Sequence, residues 1–321
     1  MKVYITREIP EVATHLLRDA GHEIITSSKQ DVLTHEELVS ELAKHTPDAV
    51  LCLLNDTIDR AVFDAGKHVK IFANYAVGFN NIALDIARER HVVVTNTPDV
   101  LTDSVAEHTV ALMLALAKRV VESDTYTREG KYTGWGPMLF LGTELKGKKL
   151  GLLGAGRIGA RVAEIARNGF GMDICYYDVR ENPPLEKNTG ATYCTSPDMV
   201  LRDSDVVSIH VPLLPSTQHM IDAGHLRLMK KTAYLINTAR GAIVDEAALV
   251  DALKNGVIRG AALDVFEYEP ALTEGLAALP NVVLTPHTAS ASETARTAMA
   301  EVAAKNIIAV LAGKAPLNPV Q

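Results

Sequence analysis

The stretch KLGLLGAGRIG, residues 149–159, decides how this chain folds. A short apolar run with the character of a buried strand leads directly into Gly154, Gly156 and Gly159, spaced G-x-G-x-x-G. Glycine at the first position permits a tight strand-to-helix turn, at the second lets backbone amides approach a pyrophosphate, and at the third lets the helix pack close to its strand. The phosphate charge then meets the positive end of the helix that begins there. A glycine pattern alone is weak, but here the context agrees: an amphipathic stretch, residues 158–168, follows, and a second strand, Asp173–Tyr177, ends at Asp178. Asp178 lies nineteen residues past Gly159, where an acid holds the ribose hydroxyls of a dinucleotide. The same charge repels a 2′-phosphate, which favours NAD and NADH over NADPH. Arg180 partly offsets that repulsion and leaves NADPH possible.

Outward from this motif, short apolar runs alternate with amphipathic stretches along the whole chain, the pattern of α/β architecture with parallel sheets. Strands are expected at 3–6, 23–26, 49–54, 70–73 and 92–95, with helices between them such as 12–20, ended by Gly21, and 35–44, capped by Thr34. Thr97-Pro98 breaks the pattern, and residues 101–121 read as one long apolar helix, too apolar to be solvated all round. Residues 130–141, GKYTGWGPMLFL, have no clean period and contain the single tryptophan, Trp135. A second strand–helix series runs from Lys149 to Pro286, and a helix at 292–311 follows His287. The expected organisation is two doubly wound parallel-sheet domains with a cleft between them. Residues 1–98 with 288–321 form a flavodoxin-like substrate domain, and 99–287 a Rossmann dinucleotide-binding domain.

Composition sets the outer bounds. The 321 residues suffice for two cores, and a net charge of −7 argues against nucleic acid as a partner, since phosphate backbones need basic surface. The N-terminus carries no signal-peptide pattern, and no window approaches the apolar length of a membrane span. Cys52, Cys175 and Cys194 lie far apart in or beside strand-like runs, which suits buried thiols rather than disulfides or a metal site. The expectation is a cytoplasmic protein with no membrane, nucleic-acid or metal partner.

Three later segments carry chemistry. AYLINTAR, residues 233–240, reads as a buried strand ending in Arg240, whose planar fork suits the carboxylate of a 2-oxo acid. AALDVFEYEP, residues 261–270, gathers Asp264, Glu267 and Glu269 around a strand end. VVLTPHTAS, residues 282–290, brings a strand to His287, a side chain suited to passing a proton near neutral pH. A lone histidine after proline is usually structural, and an arginine after a strand often only forms a salt bridge. Their conjunction behind a dinucleotide fingerprint is what points to hydride chemistry on a small oxo acid.

These motifs, LGLLGAGRIG, MKKTAYLINTARGAIVDEAAL, LDVFEYEP and TPHTAS in this order, resemble the D-isomer-specific 2-hydroxyacid dehydrogenases over essentially the whole chain, most of all the glyoxylate/hydroxypyruvate reductases. The resemblance implies that Arg240 binds the substrate carboxylate and polarises its carbonyl, that His287 is the acid/base, and that Glu269 is its carboxylate partner. It places Gly154, Gly156, Arg157, Ile158 and Gly159 at the pyrophosphate, Asp178 at the ribose, and Val211 and Pro212 at the adenosine end. It places Thr238, Ala239, His287 and Ala289 at the nicotinamide, with Asp264 orienting the carboxamide. Leu53, Val77, Gly78 and Trp135 would bound a small substrate pocket, for Trp135 either its own or the partner subunit's, and helix 101–121 would form a homodimer. Two departures stand out: Ala83 replaces an acid of the pattern GFNNID, and Ala289 stands where relatives carry glycine.

The resemblance also brings neighbours to be weighed. D-lactate-type and phosphoglycerate-type dehydrogenases are the alternatives within the family, the second expected to need further regulatory sequence. A phosphite dehydrogenase is disfavoured by Val77 where that enzyme has lysine. An NAD-sensing corepressor built on the same scaffold would be expected to carry disordered extensions.

Overall fold

A computed structural model describes residues 1–320, and the chain falls into two compact units. One comprises Met1–Leu101 with the segment from Ala291 onward, and the other Thr102–Ser290. In the first unit the strands are β1 (Lys2–Ile5), β2 (Glu23–Thr26), β3 (Ala49–Cys52), β4 (Ile71–Asn74) and β5 (Val93–Thr95). They are parallel and lie in the order β2-β1-β3-β4-β5, the flavodoxin-like arrangement. Its helices are α1 (Val12–Asp19), α2 (His35–His45), α3 (Arg60–Ala65), α4 (Leu84–Glu89) and, from the end of the chain, α12 (Glu293–Leu311).

Central strands covered on both faces must be apolar throughout, and β3 and β4 are buried along their whole length. On one face Tyr4, Val50, Phe63 and Phe72 join α2, α3 and α4 to the sheet. On the other, α1 and α12 pack together over β3 and β4. Thr34 caps α2 by a capping box: its hydroxyl accepts from the Glu37 amide at 3.2 Å, and Glu37 accepts from the Thr34 amide at 2.7 Å.

The second unit holds β6 (Lys149–Leu153), β7 (Asp173–Tyr177), β8 (Thr192–Tyr193), β9 (Val206–Ile209), β10 (Tyr234–Asn237), β11 (Gly260–Leu263) and β12 (Val282–Leu284). Their order, β12-β11-β10-β9-β6-β7-β8, is the Rossmann order with one strand added at the far edge. Its helices are α5 (Thr102–Ala117), α6 (Val120–Arg128), α7 (Arg157–Phe170), α8 (Pro183–Thr189), α9 (Pro197–Asp203), α10 (Ala223–Leu228) and α11 (Glu246–Lys254).

The single helix expected over 101–121 is two. Arg119 adopts a left-handed backbone, φ +57°, which ends α5 and starts α6 in a new direction. The apolar length of α5 is explained within its own unit: Ala106, Val110, Met113 and Leu116 are buried, and the helix packs on α7 and across β10, β11 and β12. The uncovered apolar surface lies beyond it. α6 buries none of its residues, and Val120, Val121, Trp135, Met138 and Leu141 are exposed. Among the described residues no helix is long and apolar enough to cross a membrane.

Candidate active site

The glycine turn after β6 has the form its sequence requires. Gly154 sits at φ +97°, and a β-carbon there would come within 2.6 Å of the His210 carbonyl carbon at the end of β9. Gly159 lies so close to the Gly154 carbonyl that a side chain would overlap it. At Gly156, by contrast, a β-carbon would meet nothing within 4 Å. Gly156 is also the N-cap of α7, and no side chain caps that helix. Arg157 and Ile158 open its first turn. An approachable backbone at the positive end of a long helix is what a pyrophosphate requires, so the residues present fit a dinucleotide. Asp178 is fixed beside the turn: one carboxylate oxygen accepts from the Ala155 amide and the other from the Val179 amide, each at 2.7 Å. Val211 and Pro212 follow β9, and the Val211 amide lies 2.8 Å from where a Gly154 β-carbon would be.

Arg240 stands three residues past the end of β10, not on the strand itself. The intervening turn is held by Asn237, whose side chain donates to the Arg240 carbonyl at 2.9 Å and accepts from the Ala239 amide at 3.0 Å. The guanidinium donates to the Ala239 carbonyl at 2.6 Å. Burial lowers its pKa from the ordinary arginine value, opposed by the charge of Glu269. Gly241 packs directly on the Phe266–Glu267 backbone, where any β-carbon would overlap it, so the Arg240 and Glu269 segments touch. Thr238 is buried with its hydroxyl 2.9 Å from that of Thr109 on α5.

His287 follows β12, with Nδ1 3.0 Å from Glu269 Oε2. The other oxygen of Glu269 accepts from the Phe266 amide at 2.9 Å. Burial disfavours ionisation of Glu269, yet the hydrogen bond and charge of His287, the Phe266 amide and Arg240 together hold its carboxyl below the usual glutamate range. His287 itself adopts φ +54°, a conformation that costs a side-chain-bearing residue roughly 1–2 kcal/mol.

Asp264 supplies what holds that conformation. Its carbonyl accepts the His287 amide at 2.8 Å. One carboxylate oxygen takes the Thr285 hydroxyl at 2.6 Å and the Thr288 amide at 2.8 Å, and the other takes the Ala289 amide at 2.8 Å. His108 of α5 lies 3.4 Å away. Although burial opposes it, these bonds, led by His108 and Thr285, keep the carboxyl below the usual aspartate range. The side chain is wholly buried, and with both oxygens bonded to the loop that carries the histidine, Asp264 braces it.

In the first unit, Leu53 follows β3 and its amide donates to Asp56 at 2.7 Å. The Val77 carbonyl accepts from the side chain of Asn96, just after β5, and the Gly78 carbonyl from that of Asn74, the last residue of β4, each at 2.8 Å, and these bonds fix the loop. Trp135 is 83% exposed.

Residues 110–289 match the family model described as the D-isomer specific 2-hydroxyacid dehydrogenase, NAD binding domain. The chain belongs to this family. Among dehydrogenases like it, the glyoxylate reductase of Thermofilum pendens is 48% identical over 98% of this chain and 93% of its own length. That of Thermococcus litoralis is 45% identical over 99% and 96%. A crystal structure of a Thermus thermophilus protein superimposes with TM-score 0.92 at 42% identity, covering all of both chains. The NADPH-dependent glyoxylate/hydroxypyruvate reductase of Sinorhizobium meliloti, solved with NADP and malonate, gives TM-score 0.86 at 31% identity over 99% of this chain and 96% of that one. Within this dehydrogenase the sequence reading missed His108, Thr285 and Thr288. The threonines flank the histidine in TPHT, which was a signal. His108 sits inside an apolar helix and gave none until α5 was packed.

Proposed function

We propose that this dehydrogenase reduces a small 2-oxo acid, glyoxylate or hydroxypyruvate, to the D-2-hydroxy acid (glycolate or D-glycerate), with NADH as preferred reductant. The observation that carries the reading is the Glu269–His287 pair, 3.0 Å apart, on a segment packed against that of Arg240. NADH, when bound, supplies the hydride that reaches the 2-carbon of the oxo acid. Arg240 holds the carboxylate through its planar fork and stabilises negative charge as it grows on the carbonyl oxygen. Because Nδ1 of His287 faces Glu269, Nε2 is the atom that delivers the proton to that oxygen. Glu269, as a carboxylate, favours the protonated ring.

The first unit has the substrate-binding role in this reading, through Leu53, Val77 and Gly78, and the second the dinucleotide-binding role. The named relatives act on glyoxylate, which supports the substrate class, and one of them is NADPH-dependent. Asp178, held at the glycine turn, supports NADH here. The exposed apolar surface of α6 and residues 130–141 supports a homodimer, with Trp135 bounding the partner's pocket. All three cysteines are buried free thiols, which suits the reducing cytoplasm.

Initial rates with glyoxylate, hydroxypyruvate, pyruvate and phenylpyruvate, each with NADH and NADPH, test the proposal. The first two with NADH should give the highest kcat/KM. Failure to turn over any oxo acid contradicts the assignment.

A further inference from the structure

One group of ionisable side chains near the site has no part in the chemistry above. His219 lies on the loop before α10, at φ +49°, and its amide donates to the Ala242 carbonyl at 2.9 Å, two residues past Arg240. Its Nε2 is 2.6 Å from Oε1 of Glu267, two residues before Glu269. Glu267 is itself tied to Glu246, the first residue of α11. The Glu267 amide donates to Glu246 at 2.7 Å, and the Glu246 amide donates to Glu267 at 3.2 Å. Glu246 is almost wholly buried, and its second oxygen accepts the Thr273 hydroxyl at 2.7 Å. One side chain and one amide of His219 therefore grip both the turn after Arg240 and the turn before Glu269. The bare Gly241 backbone fills the space between them.

We propose that His219, Glu267 and Glu246 are positioning residues: a clamp that sets the spacing of Arg240 from the Glu269–His287 pair. Ordinary packing would not need it. Two glutamates exchanging backbone bonds in a buried place are costly to assemble, and the reciprocal arrangement fixes the Phe266–Glu269 turn in register with α11. None of the three touches substrate or reacting atoms in this account. Their effect runs through the geometry of residues that do, where an error of about 1 Å costs up to roughly a hundredfold in rate.

The inference rests on the functional reading above, and its test separates the two. Glu267→Ala and His219→Leu open the clamp, whereas Glu267→Gln and His219→Gln retain hydrogen-bonding groups. In the opened variants kcat for glyoxylate should fall roughly ten- to a hundredfold, with KM for NADH unchanged, and the Gln variants should recover most of the loss. Amide hydrogen exchange, measured without substrate, should rise together in residues 240–243 and 266–269. Parental kcat in the opened variants, or faster exchange without loss of kcat, would overturn the clamp. Should the parent turn over no oxo acid, the functional reading fails alone. Exchange then decides the clamp, supported if both segments loosen together and overturned if they do not.

Discussion

Glu269 occupies Nδ1 of His287, and in the proposed mechanism this leaves Nε2 to exchange a proton with substrate. Since its carboxyl titrates below the usual glutamate range, it is anionic at neutral pH and favours imidazolium. Glu269→Gln removes that charge and leaves the ring an uncharged hydrogen-bonding partner. Reduction requires the protonated ring and should be lost at lower pH as pH rises; oxidation requires the neutral ring and should begin at lower pH. The displacement is read from kcat/KM profiles in both directions. Superimposable profiles would remove Glu269 from the mechanism. At the other end of the cofactor, Asp178→Ser removes the charge that repels a 2′-phosphate. The ratio of kcat/KM for NADH to that for NADPH should fall by at least about tenfold, which is 1.4 kcal/mol. An unchanged ratio would show that discrimination lies elsewhere.

Among the elements, those whose ends are written in local chemistry were legible from sequence. Thr34 announced α2, and the glycine turn announced β6 and α7. Arg240, Glu269 and His287 were legible because each follows a strand whose apolar run is unmistakable. The break between α5 and α6 was not, because Lys118-Arg119 contains neither glycine nor proline and the left-handed residue is an arginine. Nor was the brace around Asp264, or the pairing of His219 with Glu267, 48 residues apart. Such contacts exist only once tertiary packing brings distant turns together. Ala83, the departure noted in the sequence, proves to be the N-cap of α4, where no side chain caps the helix. Ala83→Asp should therefore stabilise the protein by about 1 kcal/mol, measured by urea denaturation. An unchanged or lowered midpoint would show that this cap geometry rejects a carboxylate.

At the scale of the molecule, the proposed homodimer rests on what a single chain leaves uncovered. α5 is satisfied within its own unit, whereas α6 and the segment around Trp135 present apolar surface to solvent. The proposed homodimer would cover that surface, and light scattering at micromolar concentration should then read a dimer. Dilution to monomer should shift the emission of the single tryptophan to the red. A monomer at all accessible concentrations would contradict the assembly. The proposed function depends on a smaller set: a fork for the carboxylate, a proton donor, and the carboxylate that orients it. The most direct test of that set is glyoxylate reduction by His287→Ala, with NADH binding followed by fluorescence in the same preparation. The account predicts that kcat falls by ~10²–10⁴-fold while NADH binds as in the parent. A variant that reduces glyoxylate at the parent's rate would contradict it.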